Sequence, residues 1–368
     1  MKLLREHIAF GVIALSYIIL FIPFLGDVYL FDWDEINFAE AAREMLVTGD
    51  WLNVRINYEP FWEKPPLFIW LQAISMKIFG INEFTARFPN ALAGLVTISI
   101  LYSTVYKRYS KQAAVFTILM YLGSFTSHFY FKSGIIDPVF NLFIFLSILY
   151  LIKSIETAKL SSFIWSGFYL GLAVITKGPV AILLVGLSGF VYQVVYGVTF
   201  YNFKKLLVLL VGLLIAPGLY FGVEVYTAGW WFLKEFIVYQ IDLFRYPIAS
   251  HGQPVYYHLV VLLLGCFPLF GFAIGDMFRR KTYVSGDTTF YRWMKVLFWV
   301  VLIVFSMVTT KIVHYSSMCY IPLAVVGGVW LSNLVKMTVW ERILLSVVGA
   351  VWVVILTVFG IMGIRTAE

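Results

Sequence analysis

The chain has 368 residues, of which 61% are hydrophobic, 19% aromatic and 13% charged. A water-soluble domain carries about 25% charged residues, so this composition excludes a single soluble core and assigns the surplus apolar surface to a bilayer. A net charge of +7 fits either a nucleic-acid surface or basic cytoplasmic loops, and the distribution of the cations decides for the loops.

Apolar runs that reach or approach spanning length fall at 8–25, 88–106, 112–130, 138–152, 160–176, 179–197, 205–226, 257–275, 293–310, 316–335 and 341–363. A crossing needs roughly 17–25 residues, so 138–152 is the shortest of the set. The N-terminus, with Lys2 and Arg5 before an apolar run, resembles a signal peptide. No small-residue cleavage site precedes Asp32, so the run reads as a retained first span.

The run 67–79 follows Pro65-Pro66 and contains Gln72 and Lys77, which makes it an interfacial or re-entrant helix. With that choice, eleven crossings and the N-terminus inside, 16 of the 27 basic residues fall on the cytoplasmic side with five acids, and the other face holds 15 of the 20 acids. This is the positive-inside pattern. The fold class expected is therefore all-α: one polytopic transmembrane domain over 1–368, with two long extracytoplasmic segments at 26–87 and 227–256. Segment 34–48 reads as an amphipathic helix, in which Ile36, Ala39, Ala42, Arg43, Leu46 and Val47 share the helical spacing, with Asp34 at its N-cap and Gly49-Asp50 ending it.

Five constellations carry chemistry-bearing residues. In Asp32-Trp33-Asp34-Glu35, acids at a helix start complement the dipole, and either they only cap the helix or one serves as a general base. In Glu63-Lys64-Pro65-Pro66, Lys64 either snorkels at the interface or meets a lipid phosphate. Arg87, Asp137 and Lys177 sit at the ends of spans, where a charge is costly and faces a cavity or a partner; an Asp137–Lys177 pair is the structural alternative. The second outer segment holds Arg245, His251 and several aromatics, types that suit phosphate and sugar hydroxyls. There His251 is either a plain hydrogen-bonder or a metal ligand with Glu63. Lys311, His314 and Tyr315 close the outer end of a span, as an aromatic belt or as a phosphate site. The two cysteines, Cys266 and Cys319, have no metal-type spacing and suggest no disulfide framework. No Walker loop, Rossmann glycine pattern or zinc spacing occurs.

Asp34-Glu35, Ala39-Glu40, Ala42-Arg43-Glu44-Met45 and Gly49-Asp50-Trp51 resemble the first outer loop of bacterial family 39 and aminoarabinose-transferase-like proteins. Phe61-Trp62-Glu63-Lys64-Pro65-Pro66-Leu67, Phe79-Gly80, Ala86-Arg87, Thr176-Lys177-Gly178-Pro179 and Lys311 to Pro322 extend the resemblance over most of the chain. It implies a GT-C fold and a glycosyltransferase that moves a sugar from a polyprenyl-phosphate donor to an extracytoplasmic lipid, glycan or protein acceptor, lipid A among them. It implies a bacterial plasma-membrane protein whose site faces the exterior. The family's acidic residue matches Asp34, and its Glu-Lys-Pro-Pro motif matches Glu63 to Pro66.

On that resemblance, Asp34 is the expected base with Glu35 orienting it. Lys64, Arg87, Arg245, Lys311 and Tyr315 are the expected donor-phosphate residues. Glu63, Asp137, Lys177, His251 and His314 are the expected sugar and acceptor residues. No cofactor is required; a divalent metal at Glu63 and His251 is an open alternative. The partners expected are the donor, the acceptor and membrane lipids, with no nucleic acid. Many such relatives continue into a soluble periplasmic domain, whereas this sequence ends at Glu368 soon after its last apolar run, and no such domain is expected within it. A transporter or flippase for a lipid-linked sugar or small anion is the alternative, because intramembrane charges and a broken helix at Gly178-Pro179 fit it too.

Overall fold

The computed structural model describes residues 2–199, 201–245, 252–278, 286–334 and 337–367. The chain opens with α1 (Lys2–Phe21) and α2 (Trp33–Thr48), then a short hairpin of β1 (Arg55–Ile56) and β2 (Glu59–Pro60). Next come α3 (Leu67–Phe79), α4 (Glu83–Arg108), α5 (Lys111–Gly123), α6 (Phe125–Phe131), α7 (Asp137–Thr157), α8 (Leu160–Lys177), α9 (Val180–Tyr196) and α10 (Phe203–Ala228). The rest is α11 (Trp231–Arg245), α12 (Tyr257–Gly265), α13 (Leu269–Met277), α14 (Thr288–Met307), a 3₁₀ helix (Val313–Cys319), α15 (Tyr320–Ser332) and α16 (Val339–Ala367).

Among the described residues seven helices are long and apolar enough to cross a membrane: α4, α7, α8, α10, α14, the 3₁₀ helix continued by α15, and α16. The pair α5 and α6 passes the same test together but is bent by 75°, and α1 and α9 are shorter apolar helices. The chain is a multi-pass membrane protein. Ten of the eleven apolar runs read from the sequence correspond to one of these helices or helix pairs, the run 257–275 falls on two nine-residue helices, α12 and α13, and α3 occupies 67–79 as expected.

Packing follows side-chain size. A Cβ on Gly167 would lie 2.0 Å from the carbonyl oxygen of Leu209, and one on Gly212 2.2 Å from that of Ile164. The backbones of α8 and α10 touch because these positions are glycine, the small-residue contact of membrane helices. The opposite face of α10 exposes Leu206, Leu210, Leu214 and Leu219, as a lipid-facing helix does. By contrast α15 is buried around almost its whole circumference and packs with Trp293, Phe298 and Tyr192 in the largest core cluster.

Two expectations for the first outer segment are corrected. The N-cap of α2 is Asp32, whose side chain accepts from the N–H of Asp34, so Asp34 lies inside the first turn. The inward face carries Glu35, Phe38, Ala39, Ala41, Ala42, Glu44 and Met45, so Ala39 and Ala42 are buried as expected while Ile36 and Val47 are exposed. The two inward glutamates hid this face from an apolar-periodicity reading. Glu44 explains its own burial: its Oε2 accepts from the N–H of Tyr58 at 3.0 Å and holds a hairpin turn in which Asn57 and Tyr58 both have positive φ, the two-residue geometry that suits β-hairpins.

Candidate active site

Consecutive residues on a helix diverge by about 100°, so Asp34 and Glu35 have separate environments. Glu35 is fully buried. Its Oε1 accepts from Arg87 Nε at 2.8 Å and from the N–H of Gly134 at 2.7 Å. Its Oε2 accepts from Arg87 Nη2 at 3.0 Å and the N–H of Phe31 at 3.2 Å. Arg87 spends its remaining donors on the carbonyls of Leu25, Val28 and Tyr29. A guanidinium has five N–H groups, and all five are engaged. Arg87 therefore has no donor left for a phosphate, and Glu35 has no free lone pair to orient a substrate. The pair instead fixes the start of α2 against α4 and the turn before α7.

Asp34 looks the other way, with its side chain 23% exposed. Its Oδ2 lies 3.7 Å from His314 Nε2, and the same nitrogen lies 3.8 Å from Asp137 Oδ2. Both distances are too long for direct hydrogen bonds. One imidazole thus stands between carboxylates from α2 and α7. Lys177, at the end of α8, donates to Asp137 Oδ1 at 2.6 Å, so the structural pairing weighed from the sequence is present. Ser317 Oγ is 3.5 Å from the same oxygen and accepts from Asn141 Nδ2 at 2.8 Å. Asp137 Oδ2 is buried without a hydrogen-bond partner. The ammonium of Lys177 also lies 4.9 Å from the centre of the Tyr315 ring, a cation–π distance.

A third sector comes from the loop before α3 and from α11. Tyr239 donates to Glu63 Oε2 at 2.8 Å, and Gln240 Nε2 reaches the Glu63 carbonyl at 3.4 Å. Lys64 Nζ lies 5.3 Å from the centre of the Tyr239 ring and makes no ion pair among the described residues. Burial first, then the Glu63 carboxylate, raise the Tyr239 phenol well above its ordinary pKa, and the charges of Tyr315 and Asp34 add to this. Lys311 is buried and donates to the Val308 carbonyl at 2.7 Å. Arg245 ends α11 and is exposed.

The structure thus gathers Asp34, Asp137, Lys177, His314 and Tyr315, with Glu63 and Lys64 facing them through Tyr239. It removes Glu35 and Arg87 to the scaffold. His251 lies outside the described residues, so its pairing with Glu63 at a metal does too; among the described residues no group of three histidines, cysteines or acids is arranged to hold a metal ion. Sequence reasoning did not select Tyr239, Asn141 or Ser317. Asn141 carried a usable signal, since it is a polar residue one helical turn after Asp137 inside an apolar run.

Comparison with known proteins bears on the fold and the family. The family model described as dolichyl-phosphate-mannose-protein mannosyltransferase matches residues 63–221. An undecaprenyl phosphate-alpha-4-amino-4-deoxy-L-arabinose arabinosyl transferase of Proteus mirabilis is 27% identical over 331 residues, covering 88% of this chain and 58% of that protein. An uncharacterized protein of Aquifex aeolicus is 30% identical over 304 residues, covering 82% and 68% respectively. Among solved structures, ArnT from Cupriavidus metallidurans bound to undecaprenyl phosphate superposes with a TM-score of 0.75 at 22% identity, over 90% of this chain and 60% of that one. An Archaeoglobus fulgidus oligosaccharyltransferase superposes with a TM-score of 0.55 at 14% identity, over 93% and 53%. The chain spans 58% of the length of the Proteus relative.

The all-α polytopic fold, shared with the ArnT structure, is of the GT-C type. Within that class, the chain belongs to the aminoarabinose-transferase-like family.

Proposed function

We propose that this chain is a glycosyltransferase that takes a sugar from a polyprenyl-phosphate donor and passes it to an acceptor on the non-cytoplasmic side of a bacterial plasma membrane. The observation that carries this reading is the position of Asp34. It is a partly open carboxylate on the first turn of α2, sharing His314 with a buried Asp137–Lys177 pair.

In the proposed reaction the acceptor oxygen attacks the anomeric carbon as its proton passes to Asp34. The bond from that carbon to the phosphate oxygen breaks, the electron pair leaves on the polyprenyl phosphate, and the sugar inverts. General-base help of this kind contributes about 10²–10⁴-fold. The leaving phosphate is already a stable anion, so what it needs is fixed positive charge in a poorly solvated place. Lys64 supplies it in this reading, assisted by Lys311 and the hydroxyl of Tyr315. Asp137, Lys177 and His314 line the sugar. Glu63, held by Tyr239, positions Lys64. The acceptor is an envelope lipid such as lipid A, another glycan or a protein, and the relatives named for arabinosyl transfer from undecaprenyl phosphate support the donor class.

The test is transfer by purified protein from polyprenyl-phosphate sugars. Asp34→Asn is expected to lower kcat by about 10²–10⁴-fold with an unchanged melting temperature; wild-type turnover would remove the base assignment. Lys64→Ala is expected to raise the KM for the donor by about tenfold or more, the scale of a charge-assisted hydrogen bond. Unchanged donor affinity would remove the phosphate assignment.

A further inference from the structure

At the end of the bundle away from the site, two grooves flank α4. One, of about 390 Å³, lies against α1 and is lined by Phe10, Ser103 and Tyr106. The other, of about 670 Å³, lies against α7 and is lined by Leu146, Leu149, Tyr150 and Lys153. Ile100 and Lys107 border both. Lys153 lies sixteen residues along α7 from Asp137, about 24 Å at helical rise, so the grooves belong to the opposite leaflet.

The charges at their mouths are unequal. Arg108 is held by Glu156, at 2.5 Å, and by Asp287, so these three groups together carry one negative charge beside the two lysines. Lys107 and Lys153 are exposed and make no ion pair among the described residues; Lys153 Nζ lies 5.3 Å from the centre of the Tyr150 ring. Two exposed ammonium groups, neither in an ion pair among the described residues, and a net positive charge therefore stand over apolar channels that run down membrane-spanning helices.

We propose that these grooves bind an anionic phospholipid of the leaflet opposite the site, its phosphate between Lys107 and Lys153 and its acyl chains along Ile100, Leu146 and Leu149. Lysine suits this role, since it meets phosphate as a mobile point charge, and basic pockets between spans on the cytoplasmic side recognise anionic headgroups. A soluble polyanion would match the two cations but not the apolar channels beneath them. The inference does not depend on the glycosyltransferase reading.

The experiment titrates purified protein with phosphatidylglycerol and with phosphatidylcholine of the same chain length. A photoactivatable phosphatidylglycerol then maps the bound chain by cross-linking. The wild type is expected to prefer phosphatidylglycerol and to cross-link at the inner ends of α4 and α7. Removing a surface lysine weakens anionic-lipid binding by about fivefold, so Lys107→Gln with Lys153→Gln is expected to lose about 25-fold without change in phosphatidylcholine binding, elution volume or melting temperature. Lys107→Glu is expected to bind phosphatidylglycerol more weakly than Lys107→Gln. Equal affinity of wild type and double variant, equal affinity of wild type for the two lipids, or cross-links confined to the Asp34 end of the spans would overturn the proposal.

Discussion

Asp34 and Glu35 are adjacent in sequence, yet one belongs to the site and the other to the frame that holds it. The difference is a matter of unfilled lone pairs. Glu35 accepts four hydrogen bonds, two of them from Arg87, whereas Asp34 is partly exposed. Breaking a buried ion pair by deleting one partner costs about 3–5 kcal/mol, so Arg87→Ala is expected to lower the melting temperature sharply. Arg87→Lys is expected to do so too, since three ammonium donors cannot replace a planar fork of five. Thermal unfolding in detergent checks both. A variant as stable as wild type would return Arg87 to the list of phosphate candidates. The acidic motif itself was legible in the sequence, but the division of labour within it was not. The partner of Glu35 lies 52 residues away, and whether Asp32 or Asp34 caps the helix is decided by one residue of register.

Helix positions were the most legible feature at the level of elements, because spanning length and the Pro65-Pro66 start are local signals. The second outer segment was less so. The helix α11 was not distinguished there, although its Tyr239 and Gln240 reach Glu63. The break between α8 and α9 shows what α11 rests on. Gly178 has φ +120, and a Cβ there would stand 3.0 Å from Gln240 Oε1. The backbone conformation alone costs an L-residue about 1–3 kcal/mol, and the added carbon pushes directly on the helix that carries Tyr239. Gly178→Ala is therefore expected to lower both melting temperature and transfer rate, with the KM for donor rising as the Glu63–Lys64 loop loses its support. A variant that loses stability but keeps the wild-type KM would uncouple α11 from the donor end of the site.

The charge pattern of the whole chain makes a claim that helix packing alone does not test: the ends of the spans that carry Asp34, Lys64 and Asp137 face outward, and those that carry Lys107 and Lys153 face the cytoplasm. The claim rests on α3 remaining at one surface. Its 13 residues make about 20 Å of helix, short of a hydrocarbon core of about 30 Å. Were α3 a crossing, Lys107, Arg108 and Lys111 would move outside and the positive-inside balance would fail. The protein is well suited to a thiol-labelling test, because both native cysteines, Cys266 and Cys319, are buried. A cysteine replacing Tyr58, exposed at the tip of the hairpin, is expected to react with a charged, membrane-impermeant maleimide in intact spheroplasts. One replacing Thr157, exposed at the far end of α7, is expected to react only after lysis. Reaction of Thr157→Cys in intact cells with protection of Tyr58→Cys would turn the molecule over. A donor presented outside would then face the lysine grooves while Asp34 and Lys64 faced the cytoplasm, and the catalytic assignment could not survive that inversion even with every distance in the site unchanged.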